Sequence, residues 1–119
     1  DRQEFRDWFV HSGAVPVARP LTAAEVEADY EGNTGRVIVE RFAGLDPLAM
    51  PAVLVAGHAP FTWGRDAADS LTNAIALEAV AQMAWATWQL DPQAPPLEAY
   101  VRDKHYRRKH GPQAYYGQK

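Results

Sequence analysis

Residues 52–64 read AVLVAGHAPFTWG, an apolar run that opens into a loop containing glycine, histidine and proline. Its first four residues, Ala52–Val55, predict a short buried strand. A strand followed by such a loop is a common setting for chemistry, because the sheet is rigid and the loop directs its side chains. His58 is therefore the first candidate functional residue of the chain.

A helix is predicted upstream of this strand. Thr22 is followed three residues later by Glu25. This is the spacing of a capping box, in which the threonine hydroxyl accepts a first-turn amide and the carboxylate accepts from the cap residue. We expect the helix to run to Tyr30 or Glu31, because the GNTG sequence at 32–35 is typical of a helix end.

Two further extended segments are predicted in the first half of the chain. Ala14–Ala18 contains Pro16, which suits an edge strand or the start of a strand. Arg36–Phe42 contains three consecutive β-branched residues and predicts a strand. A loop is expected over Gly44–Pro51.

A long helix and a shorter one are predicted downstream of residue 64. Asp66 or Asp69 is expected to cap the first, which runs to about Leu90 and is apolar on most sides, so we expect it to be central and buried. Its apolar residues form two stripes: Leu71, Ile75, Ala79 and Met83, and Leu77, Val80, Ala84 and Trp88. Asp91–Pro96 is a proline-rich connector, and the second helix is expected over Leu97–Lys109.

Composition limits the class of protein. The chain has 119 residues, 47% hydrophobic and 23% charged, enough for one globular domain or part of one. It has no cysteine, which excludes disulfides, thiolate metal sites and a cysteine nucleophile, so a metal would be held by His, Asp or Glu. No apolar stretch approaches the roughly 18 residues of a membrane span, and the charged first nine residues do not fit a signal peptide. A first residue other than methionine suggests a piece of a longer protein.

Charge is unevenly distributed. Residues 1–101 carry 6 basic and 14 acidic side chains, a balance of −8, whereas residues 102–119 carry 6 basic and 1 acidic, a balance of +5. The basic end favours an anionic partner: a phosphate on a small molecule, a nucleic acid, or the acidic surface of a neighbouring subunit. A body at −8 would repel a long polyanion, so a small phosphate or a subunit contact is favoured over nucleic acid.

Each candidate residue has both a chemical and a structural interpretation. His58 is either a metal ligand or acid–base group at a strand end, or a histidine satisfied by backbone atoms in a tight turn. A metal needs three or more donors, and no second histidine lies nearby at ligand spacing. Arg102–His110 is either an anion-binding helix or a solvated charged helix end. Tyr115 and Tyr116 either pack as an arm on a neighbouring surface or supply a phenol for proton transfer.

Four stretches of the chain carry a family resemblance. Residues 53–64, 73–81, 103–111 and 114–118 read VLVAGHAPFTWG, NAIALEAVA, DKHYRRKHG and AYYGQ. Together they resemble the C-terminal half of the L-ribulose-5-phosphate 4-epimerases, a family of the class II aldolase and adducin superfamily, and residues 30–40 fit as well. The stretch around His58 is shared with related aldolases, whereas the last two stretches are characteristic of the epimerases.

The resemblance implies an α/β fold, the three-layer α/β/α class II aldolase-like fold, with residues 1–119 as the C-terminal part of a single domain. It implies zinc-assisted retro-aldol and aldol chemistry on a phosphorylated pentulose. In that reaction the C3–C4 bond breaks, the aldehyde phosphate presents its other face, and the bond re-forms with inverted configuration.

The resemblance also implies roles for individual residues. By matching positions, His58 corresponds to a zinc-binding histidine. Tyr116 corresponds to a tyrosine that transfers a proton in a neighbouring subunit's site, and His105 to a histidine contributed across the same interface. Glu31 matches a carboxylate near the site that has no assigned role.

The chain departs from the family pattern in two places. The family's other two zinc histidines form a His-x-His pair upstream, and this sequence contains no such pair. The family's acidic proton-transfer residue precedes an aromatic–Phe pair, as Asp7 precedes Trp8-Phe9, but two extra residues then intervene before Gly13. Asp7 is thus a catalytic candidate on a gapped match. Because the His-x-His pair is missing, we do not expect these 119 residues to complete the metal site alone.

The expected protein is an epimerase that interconverts L-ribulose 5-phosphate and D-xylulose 5-phosphate in pentose metabolism. The resemblance implies a cytoplasmic homotetramer with sites completed across subunits, acting without nucleic acid or membrane. Two alternatives stay open: an aldolase that releases the aldehyde, and a non-catalytic interaction domain of the adducin kind.

Overall fold

A computed structural model describes residues 14–110 and Pro112, apart from the side chains of Lys109 and His110. The elements of the described residues are β1 (Val17–Ala18), α1 (Ala23–Arg41), β2 (Ala52–Val55), β3 (Pro60–Thr62), α2 (Ala67–Leu90) and α3 (Ala99–His110). This is the mixed α/β content that the sequence predicts. Among the described residues, none of the helices combines the length and the apolarity that a membrane crossing requires.

Contacts divide the chain into two compact units, with the division in sequence between Ile75 and Ala76, inside α2. The first unit, residues 14–75, contains the three strands, α1 and the start of α2. The second is described over residues 76–110 and contains the remainder of α2 and α3.

The sheet of the first unit is built around β2. β1 pairs with β2 in parallel, with Ala18 opposite Val55, and β3 pairs antiparallel, with Val53 opposite Phe61. Alternate side chains of a strand point to opposite faces. Ala18, Val53 and Val55 therefore share one face, and all three are buried. The strand predicted over Ala52–Val55 is confirmed with the same bounds.

Helix α1 packs against the buried face of the sheet. Val37 is 1% exposed and forms the core cluster with Ala18, Val53 and Val55. Partly buried apolar side chains pack around this cluster: Leu21, Ile38, Phe42 and Trp63. The core of this unit therefore lies between α1 and β2.

The strand predicted over Arg36–Phe42 is wrong, because these residues continue α1 to Arg41. Buried and half-buried side chains recur with helical spacing from the middle of α1 to the residue that caps its C-terminus: Asn33, Thr34, Val37, Ile38 and Phe42. A β-branched residue in a helix costs roughly 0.5 kcal/mol relative to alanine. Burial of Val37 contributes about 2 kcal/mol. Packing therefore outweighs the local preference for a strand.

The predicted helix end at Tyr30 or Glu31 is also wrong, because the helix is interrupted at Asp29 and then resumes. The backbone of Asp29 is extended, with φ −168° and ψ 85°. Its carboxylate accepts a hydrogen bond from the Gly32 amide at 3.1 Å, which caps the second segment of α1. An aspartate therefore starts a new helical segment where the GNTG sequence suggested a stop.

Polar side chains of the GNTG sequence stabilise this kink. The side-chain amide of Asn33 donates to the Glu25 carbonyl at 2.8 Å. In a continuous helix that carbonyl would accept from the amide of residue 29. The Thr34 hydroxyl donates to the Tyr30 carbonyl at 2.7 Å. Asn33 and Thr34 are buried, and these hydrogen bonds satisfy polar groups that water does not reach.

Arg19 joins the end of β1 to both segments of α1. Its guanidinium donates to both carboxylate oxygens of Glu25 at 2.9 Å and to Glu40 at 3.2 Å. Glu25 also completes the predicted capping box, accepting from the Thr22 amide at 2.8 Å. The hydrogen bonds from Arg19 and Thr22 lower the pKa of Glu25 to about 2, and the two carboxylates raise the pKa of Arg19.

Side-chain hydrogen bonds connect the end of β3 to the first turns of α2. The hydroxyl of Thr62 donates to the Ser70 carbonyl at 3.3 Å, and the Ser70 hydroxyl donates to the Thr62 carbonyl at 3.2 Å. Asn73 donates to the Trp63 carbonyl at 2.8 Å. A Cβ added at Gly64 would lie 2.7 Å from the Ser70 amide nitrogen, so only glycine fits there.

Helix α2 begins with an aspartate cap and ends at Leu90, as predicted. Of the two candidate caps, Asp66 accepts from the Asp69 amide at 2.8 Å. The expectation that α2 is a central, buried helix is wrong for most of its length, because its buried residues are Ala76, Leu77 and Val80, whereas Trp85 and Trp88 are about two-thirds exposed. A helix that is apolar on most sides does not indicate which side packs.

Replacing Arg19 by Ala is expected to destabilise the protein at neutral pH, and by less as the pH falls. The folded pKa of Glu25, about 2, lies below its ordinary value of 4.5, so the stabilisation from this pair is complete above about pH 4.5 and is lost as the pH falls towards 2. Chemical unfolding of both proteins across this range measures the difference. Arg19→Lys keeps the charge without the paired hydrogen bonds. Its free energy of unfolding should lie between those of the unsubstituted protein and Arg19→Ala. A difference that does not change with pH would contradict the role of the Glu25 pair.

Candidate functional site

His58 lies in the loop between β2 and β3, at the end of a β-turn. Its amide donates to the Val55 carbonyl at 3.0 Å. Gly57 precedes it with φ 77°, the sign that the third residue of a type II turn requires. A residue with a Cβ is strained at this φ, so the glycine before the histidine is a requirement of the turn.

The imidazole of His58 is exposed and has three defined neighbours. The Phe61 ring is stacked on it, with centroids 5.2 Å apart and planes 17° apart. The Tyr30 ring is tilted by 44° at 6.1 Å. Nδ1 lies 3.3 Å from the Ala59 carbonyl oxygen. Ring contacts and one backbone group therefore orient a side chain that is otherwise open to solvent.

The Ala59 contact indicates which ring nitrogen is available to a ligand. A carbonyl oxygen only accepts hydrogen bonds, so in the neutral ring Nδ1 carries the proton and Nε2 has the free lone pair. A bond from one ring nitrogen to a backbone carbonyl is the usual way in which proteins orient a metal-binding histidine. His58 thus has the chemistry of a metal ligand that binds through Nε2.

The described residues do not contain a complete set of metal ligands. Within residues 14–110 and 112, no group of three or more His, Asp or Glu side chains lies close enough together to hold a metal ion. Zinc sites use three or four protein ligands. His58 is therefore a candidate ligand, and the described residues do not place a complete ligand set around it.

The other residues singled out in the sequence lie on other elements or outside the described residues. Glu31 is exposed in α1, two residues after the kink. His105 belongs to the second unit, where it lies half-buried in the middle of α3. Asp7 and Tyr116, both predicted to be catalytic, lie outside the described residues.

Sequence reasoning missed both aromatic neighbours of His58. Phe61 could have been found, because it follows His58 by three residues across a short hairpin loop. Tyr30 carried no such signal, because its approach to His58 depends on the kink at Asp29 and on the packing of α1 against the sheet.

The predicted basic helix is present as α3. Arg102 forms an ion pair with Asp103 at 3.2 Å, and Lys104 and Arg107 are exposed. The first turn of α3 contains no acidic residue. The helix therefore presents positive charge to solvent, as either of its two interpretations requires.

Comparison with known proteins assigns the family. The model of the class II aldolase and adducin N-terminal domain matches residues 2–85. The chain belongs to this family. Curated relatives include proteins named L-ribulose-5-phosphate 4-epimerase UlaF from Salmonella paratyphi B, Salmonella paratyphi C and Salmonella choleraesuis. Each is 47% identical over 113 residues, which is 95% of this chain and 49% of the relative. The chain thus spans about half the length of the curated relatives it matches.

Substituting Gly57 and Gly35 by alanine should have opposite effects on stability. An added Cβ meets nothing within 4 Å at either position. Gly57→Ala then costs about 1–2 kcal/mol because of its positive φ. Gly35 lies within α1, so Gly35→Ala should stabilise by up to about 1 kcal/mol. Denaturant unfolding measures both changes, and equal effects would contradict the turn geometry assigned to the loop before His58.

Proposed function

We propose that the protein containing this chain is an L-ribulose-5-phosphate 4-epimerase that interconverts L-ribulose 5-phosphate and D-xylulose 5-phosphate. The observation that carries the proposal is an exposed, oriented imidazole on a strand-end loop in a class II aldolase family chain. The sequence identity of 47% over 95% of the chain to proteins named for this activity supports the choice of substrate.

The proposal includes zinc, with His58 as one ligand through Nε2. Bound zinc would act as a Lewis acid on the charge that develops on the substrate oxygens when the C3–C4 bond breaks. The backbone carbonyl of Ala59 accepts a hydrogen bond from Nδ1–H, which leaves the lone pair of Nε2 available. The stacked ring of Phe61 restricts the plane of the imidazole.

The remaining residues of the proposed site supply proton transfer and anion binding. Tyr116 and Asp7 would exchange protons with the substrate as the carbon–carbon bond breaks and re-forms. His105 would assist from a neighbouring subunit. The positive charge of α3 would attract the substrate phosphate.

The proposal also covers the larger architecture. Residues 1–119 would be the C-terminal part of one three-layer α/β/α domain. The whole protein would be a cytoplasmic homotetramer with sites completed across subunits. The mixed α/β content and the family support the fold, and the lack of a complete ligand group among the described residues supports a site completed elsewhere in the protein.

Incubating the full-length protein with L-ribulose 5-phosphate and zinc tests the function. Formation of D-xylulose 5-phosphate is the expected result. Accumulation of free aldehyde products would instead identify an aldolase. The absence of both turnover and bound metal would favour a non-catalytic interaction domain.

Replacing His58 by Asn in the full-length protein should abolish zinc retention and turnover together. Asn keeps a polar side chain of similar size in the turn but lacks the imidazole nitrogen. Zinc content after dialysis, with circular dichroism to verify folding, measures the effect. Full metal content in the variant would remove His58 from the ligand set.

Replacing Tyr116 by Phe should lower turnover by about 10²–10⁴-fold while zinc stays bound, because the substitution removes only the proton-transferring hydroxyl. Tyr115→Phe is the matched control, since it removes the same group one residue away and should leave kcat unchanged. Unchanged turnover in the Tyr116 variant would exclude it from the mechanism.

A further inference from the structure

His58 combines an exposed side chain with contacts to two aromatic rings and one backbone carbonyl. An exposed side chain normally samples several rotamers, and holding it in one costs conformational entropy. A ligand must nevertheless be held close to the productive geometry to bind a metal well. The neighbours of His58 therefore bear on its competence as a ligand.

The hairpin places Phe61 as the nearer of the two aromatic neighbours of His58. β3 pairs with β2 so that Phe61 lies opposite the fully buried Val53. This register fixes the backbone position from which the Phe61 side chain projects. The Phe61 ring meets the imidazole nearly parallel, at 5.2 Å and 17°, within the range of aromatic stacking. Through Phe61, strand β3 therefore restricts the plane of the histidine ring.

The stacked ring and the Ala59 carbonyl restrict the imidazole in complementary ways. Stacking fixes the plane of the ring but not which nitrogen points in which direction. The contact between Nδ1 and the Ala59 oxygen, at 3.3 Å, fixes that direction. Together they leave Nε2 as the nitrogen presented to a ligand.

We infer that Phe61 is a positioning residue for His58, whose stacked ring holds the imidazole so that Nε2 is presented to the metal. This inference rests on the proposed function, because it requires His58 to be a ligand. In this role Phe61 acts through His58 and is not itself a ligand. Its contribution is to reduce the freedom that the imidazole would lose on binding.

Substitution of Phe61 distinguishes a stacking role from simple packing. Phe61→Leu keeps apolar bulk without an aromatic ring, whereas Phe61→Tyr keeps the ring. If Phe61 acts by stacking, the leucine variant should bind zinc about tenfold more weakly, as is typical when a group that orients a ligand is removed. The tyrosine variant should bind zinc as the unsubstituted protein does.

Two measurements on the full-length protein test this expectation. Competition with a chromophoric chelator gives the Kd of Zn²⁺ for each variant. In the zinc-free protein, the NMR signal of the His58 Cε1 proton reports the stacked ring through its ring-current shift, and His58→Asn identifies that signal. The shift should persist in Phe61→Tyr and decrease in Phe61→Leu, in which the Tyr30 ring remains.

Phe42→Leu is the control for loss of stability. Phe42 packs edge-on against Trp63, with ring centroids 5.2 Å apart, and lies next to the core cluster. Its substitution should lower the free energy of unfolding without changing the Kd of zinc or the His58 signal.

The outcomes separate this inference from the proposed function. Loss of zinc in His58→Asn together with unchanged affinity in Phe61→Leu would overturn the role of Phe61 alone. Equal weakening in Phe61→Leu and Phe61→Tyr would also overturn it, because the ring would not be the determining feature. Unchanged affinity in His58→Asn would overturn both the metal assignment and the inference that depends on it.

Discussion

Val37 packs against Ala18, Val53 and Val55, and this contact sets the position of α1 on the sheet. Burial of these apolar side chains removes them from water and fixes the helix against the two parallel strands. The same strand, β2, continues into the loop of His58. The core contact and the candidate site are therefore only a few residues apart, and a shift of α1 would displace both.

The kink in α1 connects this core to the site. A straight helix over the same residues would follow a different path, and the extended backbone at Asp29 redirects the segment that begins with Tyr30. The broken helical hydrogen bonding is compensated locally by the Asp29 carboxylate and the Asn33 amide. On the surface, Arg19 connects the two segments through ion pairs with Glu25 and Glu40. An irregular helix is thus held in a single shape by polar contacts and brings an aromatic ring to the imidazole.

The site described by this chain is an open one. His58 is exposed, its ring is oriented by Phe61 and Ala59, and no group of three or more potential metal ligands is present among the described residues. Zinc sites use three or four protein ligands, so these residues do not make a complete metal site. The chain spans about half the length of its curated relatives.

The sequence by itself determined the features that depend on local chemistry. The capping box at Thr22, the apolar strand Ala52–Val55, the aspartate cap of α2 and the loop of His58 each follow from a few adjacent residues. Only the tertiary structure decided that residues 36–41 are helical, that α1 is kinked, and that Tyr30 lies beside His58. Local preferences there amount to a few tenths of a kcal/mol per residue. Burial against a strand distant in sequence contributes about 2 kcal/mol per side chain, and a sequence window does not contain that partner.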